Sequence, residues 1–318
     1  MRTRSTQWTY LELPRSVEPP PIEPETSYLS VFLRTAHVMD VRRGLRQFYG
    51  AVNSSITMVT RSGADAQFIA TLAPTGLQNV DPSSVNRLIQ INQRLVGPVP
   101  YVGGDVEAEV GLFSVASSEL AGPYLKLLES LSKTSTFAFI GVALPFVEPI
   151  KQGVQLLAGG SEGTALEIGF ATVWRPLRAG WVVAARVPRT DERYSVDPDE
   201  GRLLDGAGRP VEDFPYLVLE LSVLPTRDDW FRIPELAATY AELQREFRRG
   251  RPADVEDALV AFRRTALTCN DLLFDDALRL ADRVRQAFVA IGPTGPQVRT
   301  SGPATALPEL RSFSPFGV

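Results

Sequence analysis

The apolar residues of this chain change their period close to residue 225, and that change limits the architectures open to it. Before it, hydrophobic side chains recur mostly at every second position: Leu29, Val31 and Leu33; Phe68, Ala70 and Leu72; Val106, Ala108, Val110 and Leu112, the last set with Glu107 and Glu109 opposite. Such alternation belongs to strands with one face buried. After it, Leu236, Ala237, Tyr240, Leu243 and Phe247 fall on one helical stripe, as do Val255, Leu259 and Phe262, and then Leu273, Ala277, Leu280, Ala281, Val284 and Phe288. Strands followed by helices predict an α+β fold: a mainly antiparallel β-sheet or sandwich with inserted helices and a C-terminal helical subdomain.

On this reading residues 27–226 form the β-rich domain and 227–291 the helical subdomain packed on it. Residues 1–26 carry Pro14, Pro19, Pro20, Pro21 and Pro24. Proline lacks the N–H that a sheet requires, so an extended, proline-rich N-terminal arm is expected there. Residues 292–318 carry five further prolines among Gly, Ser and Thr, which predicts a flexible C-terminal tail. Its end regains Leu310, Phe313 and Phe316, which can dock on a partner or fold back on their own domain.

Inserted helices are predicted over 82–96 and within 118–158. In the first, Asp81 caps, Pro82 takes the first position, Val85, Leu88, Ile89, Leu95 and Val96 repeat at helical spacing, and Gly97 stops it. In the second, Ser118 caps a run through Leu120, Tyr124, Leu127, Leu128 and Leu131. Residues 165–174 and 181–187 read as an antiparallel hairpin. Asp205-Gly206 marks the turn of a small projecting hairpin, and 216–224 is the clearest strand. Asn270 is placed to cap the last helix.

Several function classes lose their residues at once. With 1 cysteine (Cys269) and 1 histidine (His37), one chain builds neither an internal disulfide nor a Cys/His metal cage. A net charge of −4 argues against a globally basic nucleic-acid binder. The basic residues are nearly all arginine, Lys126, Lys133 and Lys151 being the lysines, a skew expected of a GC-rich bacterial genome. Residues 1–24 lack a signal peptide's apolar run, and the longest apolar stretch, 137–147, is too short for a bilayer, so a cytoplasmic protein is expected.

What chemistry remains is sparse. Cys269 and His37 would make a nucleophile and base if the fold joined them, but both read more simply as buried structural residues. The acidic run 191–201 lacks the glycine and glutamate spacing of a calcium loop. The glycine-rich stretches 97–104 and 157–164 lack the lysine and hydroxyl residue of a phosphate loop, so no cofactor is expected. Residues 137–157 are apolar enough to raise a membrane-acting effector as an alternative, and an enzyme with a carboxylate or Cys/His site is another. The leading expectation is a non-catalytic adaptor or regulatory subunit that binds another protein. Its candidate contact residues are Tyr101 in a proline-stiffened loop, the helix-end arginines Arg245, Arg248, Arg249 and Arg251, and the tail's Leu310, Phe313 and Phe316.

Overall fold

Alternating residues become two facing sheets in the computed structural model, which describes residues 9–13, 20–38, 42–43, 46–72, 88–116, 164–185, 187, 193–291 and 307–316. In chain order the strands are β1 (Thr9–Leu13), β2 (Tyr28–His37), β3 (Arg42–Arg43), β4 (Arg46–Val59), β5 (Asp65–Leu72), β6 (Leu88–Pro100), β7 (Val106–Ala116) and β8 (Thr164–Trp174). They continue as β9 (Gly180–Ala185), β10 (Ser195–Val196), β11 (Leu203–Leu204) and β12 (Tyr216–Leu224). One five-stranded sheet runs β1-β9-β12-β2-β6. The other is built on β4, which pairs with β5 and β7, while β8 lies beyond β7 and β3 ladders with the start of β4. Every ladder is antiparallel.

The inner faces share one core. Leu29, Val31 and Leu33 of β2 and Leu217, Leu219 and Leu221 of β12 pack in the same cluster as Val52 and Ile56 of β4 and Val106, Val110 and Leu112 of β7. That is the interdigitation of a β-sandwich. The first sheet also buries its outer face. Trp181, Val183, Ala185, Tyr216 and Val218 meet Leu203, Val211 and Phe214 from the excursion that carries β10 and β11. Covered on both sides, β9 is buried at all six positions, which explains its unbroken apolar sequence.

Pairing across the sheets corrects several local expectations. Residues 88–96 are not helical: they belong to β6, which pairs with β2 from Leu88 to Pro100. Gly97 does not stop a helix. It holds φ +93°, and a Cβ there would lie 2.2 Å from the Leu29 carbonyl oxygen, so glycine lets β6 close on β2. Residues 165–174 and 181–187 do not pair with each other. β8 completes one sheet beside β7 and β9 enters the other beside β12, so the loop between them crosses the sandwich. The arm is not excluded from the sheet: β1 pairs with β9 over five residues that contain no proline, and Pro21 bridges Arg178. β4 is the longest strand although Asn53, Ser54 and Ser55 interrupt its apolar pattern.

The Asp205 turn forms as its chemistry predicts, but the hairpin does not project: Leu203 and Val211 are buried against the first sheet. Asp205 Oδ1 accepts the amides of Ala207 and Arg209, each at 2.9 Å. The acidic run behaves likewise, since Asp197 Oδ1 accepts the amides of Asp199 and Glu200.

Three helices follow: α1 (Pro234–Arg249), α2 (Pro252–Thr268) and α3 (Phe274–Ile291). Proline opens α1 and α2, where a missing N–H costs nothing, and Gly250 ends α1 in the left-handed conformation. Trp230 is buried in a 3₁₀ turn just before α1. Arg263–Asp282 and Arg285–Glu256 ion pairs join α2 and α3 in antiparallel order. α3 begins four residues beyond Asn270, whose side chain serves a different purpose described below. The expected helix over 118–158, with the apolar stretch 137–157, lies outside the described residues. No helix among the described residues is long and apolar enough to cross a membrane. The chain's end, residues 307–316, returns to the bundle, with Leu310 and Phe313 buried among its helices. For these residues the expectation of a flexible tail gives way to a docked segment.

Candidate functional site

His37 and Cys269 lie near opposite ends of β2. Tyr28 and His37 are the two ends of β2, about 30 Å apart at the rise of an extended strand. The Tyr28 hydroxyl accepts the Leu273 amide at 3.1 Å, which places Tyr28 against the loop that carries Cys269. His37 is buried at the far end, its Nδ1 2.9 Å from the Phe214 carbonyl oxygen and its ring stacked on Tyr216. The dyad is therefore not assembled. Cys269 is buried, with the Asp271 amide donating to its Sγ at 3.4 Å. Burial pushes its thiol well above the usual range, and the charges of Asp271 and Glu235 push it further, which disfavours a thiolate nucleophile.

The charged groups that do converge lie where the sandwich meets the bundle. The Tyr28 hydroxyl donates to Asp276 Oδ2 at 2.5 Å, and Arg279 pairs with the same carboxylate. Burial, then the Asp276 charge, raises the Tyr28 phenol far above its ordinary value, so it remains the donor. Arg227 is fully buried and paired twice, through Nε to Asp229 at 2.6 Å and through Nη1 to Asp271 at 3.1 Å. Its Nη1 also donates to the Asp271 carbonyl oxygen. A guanidinium out of water needs this degree of matching.

A second grip comes from the turn between β4 and β5. Arg61 donates from Nη1 to the carbonyls of Cys269 and Leu272, at 2.9 and 2.7 Å, and from Nη2 to Leu267 at 3.1 Å. Those oxygens belong to the end of α2 and the loop after it, where helix carbonyls lack internal partners. The Asn270 side chain, expected to cap α3, accepts the Ser62 amide at 3.0 Å instead. Arg61 also lies over the Phe274 ring at 5.5 Å.

Glu235, Cys269 and Asp271 bring their ligand atoms within 4.8 Å of one another and are the described residues able to share a metal ion. Arg227 already supplies positive charge to Asp271, and a cation would have to compete with it.

The contact residues expected from sequence fall in three places. Tyr101 does not offer its ring to a partner: it is buried in the sandwich core, and its hydroxyl donates to the Gly104 carbonyl at 3.1 Å. The arginines cluster at the α1–α2 junction as expected, but three are paired locally: Arg245 with Glu242, Arg249 with Glu246, and Arg251 with Asp254 at 3.8 Å. Exposed pairs of this kind contribute little stability. Leu310 and Phe313 are buried in the chain's own bundle, and Phe316 packs edge-on against Tyr28 at 6.3 Å. In this arrangement their apolar surface is used within the chain.

Sequence reasoning missed Arg61, Arg227, Tyr28 and Asp276. The one local signal was the Thr60-Arg61-Ser62-Gly63 turn, which offers a guanidinium at a hairpin tip; the partners are some two hundred residues away. Comparison with known proteins found no matching family model, no matching curated protein and no matching solved structure.

Proposed function

We propose that this chain is a non-catalytic protein-binding adaptor or regulatory subunit of a bacterial cytoplasmic assembly. The observation that carries the reading is the use made of its buried ionisable groups. Arg227, Asp271 and Asp276 are matched by opposite charges beside the joint of sandwich and bundle, and the partly exposed Arg61 is spent on helix-end carbonyls across it. Perturbed groups at an active site are instead left facing a cleft with capacity to react. Two bodies held in a defined relation suit a scaffold that presents surfaces to another protein.

The test is capture of the tagged full-length chain from its host's cytoplasm, with quantitative mass spectrometry and light scattering of the eluate. A stoichiometric second protein is the expected result. Recovery of the chain alone, at the mass of a single copy, overturns the reading.

A further inference from the structure

The last described segment, residues 307–316, is held in a manner that differs from the rest of the bundle core. Bundle side chains grip it mainly through its main-chain carbonyls. Tyr240 Oη and Gln244 Nε2, both on α1, donate to the Pro308 carbonyl at 2.6 and 3.0 Å. On α3, Arg279 Nε donates to the Pro315 carbonyl at 3.0 Å, and Arg283 Nη1 donates to that of Ser314. Carbonyls are common to every peptide, so this grip fixes the main chain, which makes one 3₁₀ turn at Leu310–Ser312, without demanding particular side chains.

Selectivity then rests on three apolar anchors, Leu310, Phe313 and Phe316, spaced at i, i+3 and i+6. The first two are buried and the third is half-buried. The segment's charged side chains turn away: Glu309 and Arg311 are exposed and pair with each other at 2.6 Å. Beneath the anchors the bundle closes on itself. Tyr240 makes edge contacts with Phe262 and Phe288 at 5.9 and 6.0 Å, and Phe247 with Phe288 at 5.0 Å. Phe313 adds to that cluster from above, 6.0 Å from Tyr240. The floor of the groove is thus built by residues of α1, α2 and α3.

We propose that the groove between α1 and α3 is a peptide-docking site and that residues 307–316 are its resident, exchangeable ligand. The partner it fits is a proline-flanked peptide that makes one 3₁₀ turn and carries apolar residues at i, i+3 and i+6. This deepens the protein-binding reading and rests on it for its biological use, but the groove's behaviour is measurable without any partner.

The experiment uses the full chain with a specific protease site placed within residues 292–306, folded first and then cut. A fluorescent peptide of residues 305–318 is added in excess under native conditions. The expected result is replacement of the cut segment by the labelled peptide with the far-ultraviolet circular dichroism unchanged. A peptide carrying Leu310→Asp and Phe313→Asp fails to enter. Protein carrying Arg279→Ala and Arg283→Ala binds the unmodified peptide at least about tenfold more weakly, the loss expected for hydrogen bonds from charged donors.

In the uncut chain, amides of 310–314 exchange with deuterium at least about a hundredfold faster than buried amides of α1 and α3, because the segment opens without global unfolding. No replacement below the global melting transition overturns the proposal, since the segment is then part of the core. Replacement only with loss of helicity overturns it equally, because the groove is then not preformed. Exchange with the helices intact, together with recovery of the chain alone from its host, would leave the groove standing and remove the adaptor reading.

Discussion

The sandwich and the bundle solve the same burial problem with opposite kinds of contact. In the sandwich, the β4–β5 hairpin apart, the inner strands are paired with strands remote in the chain: β2 is flanked by β6 and by β12, so Leu29 sits opposite Val99 and Val223. In the bundle the buried stripe of each helix is written three or four residues at a time, and neighbours in sequence pack together. Their ion pairs differ too. Arg34 and Glu220 pair across adjacent strands of one sheet with Arg34 still partly exposed, whereas Arg227 is wholly buried where the two bodies meet. Polar matching is thus concentrated at the joint, where apolar burial alone would tolerate several relative placements and buried charges tolerate few.

The largest expected effect strikes the joint. Arg227→Met leaves the carboxylates of Asp229 and Asp271 without their shared guanidinium and should destabilise by about 3–5 kcal/mol, read as a lowered urea midpoint. A loss below about 1 kcal/mol would remove the buried pair from the comparison. Next comes a change confined to the sandwich. Gly97→Ala places a Cβ against the Leu29 carbonyl at a positive φ and should cost about 3 kcal/mol, seen as a lower melting temperature. Amide exchange in the helices, measured on the same variant below its melting transition, should be unchanged if the bundle holds itself.

Arg61→Ala is milder, at about 2 kcal/mol, because the three carbonyls it releases can recover water once the joint loosens. Limited proteolysis should then cut faster near residues 267–273 than in β2 or β12, and uniform acceleration would contradict the latch.

Alkaline pH separates the two bodies more gently. Burial raises the phenols of Tyr216, in the sandwich, and Tyr240, in the bundle, to about 12, and Tyr28 at the joint is pushed up as well. A raised phenol stabilises the fold fully below its unfolded value, near 10, and that contribution is lost as pH rises through the folded value. Stability should therefore fall between about pH 10 and pH 12, and Tyr240→Phe should flatten part of the fall. The smallest effect is at the exposed Asp205 turn. The Arg209 amide, with the Arg209 guanidinium and the Ala207 amide, holds the Asp205 carboxyl below its usual range. Asp205→Ala should speed amide exchange at 203–210 without moving the global melting temperature.

The bundle was the more legible of the two bodies because its signal is local. Leu236, Tyr240, Leu243 and Phe247 mark a helix wherever it ends up, and Pro234, Gly250 and Pro252 punctuate it by their own backbone limits. The strands β2, β5, β7 and β12 were legible for the same reason, by alternation. β6 was not: Leu95, Val96 and Val99 are buried around Gly97 on a strand covered closely by β2, and a strand buried at successive positions has no period of two to read. The candidate contact residues were legible as exposed-looking chemistry, but their surroundings were not. Tyr101 proved to belong to the sandwich core, and Leu310 and Phe313 to the bundle core.

By itself the sequence determined the α+β class, a β-rich part followed by a helical one, the start of α1 and the Asp205 turn. It also excluded any metal cage that needs two histidines. Each of these follows from the conformational limits or the burial preference of residues close together in the chain. Only the tertiary structure decided that β8 and β9 part company across the sandwich, that His37 and Cys269 stand a strand's length apart, that Arg61 reaches its partners across the joint, and that Arg227 is buried between Asp229 and Asp271. Those outcomes depend on contacts between residues tens to hundreds of positions apart, and the free energy that selects them comes from filling one core and matching buried charges once the whole chain has closed.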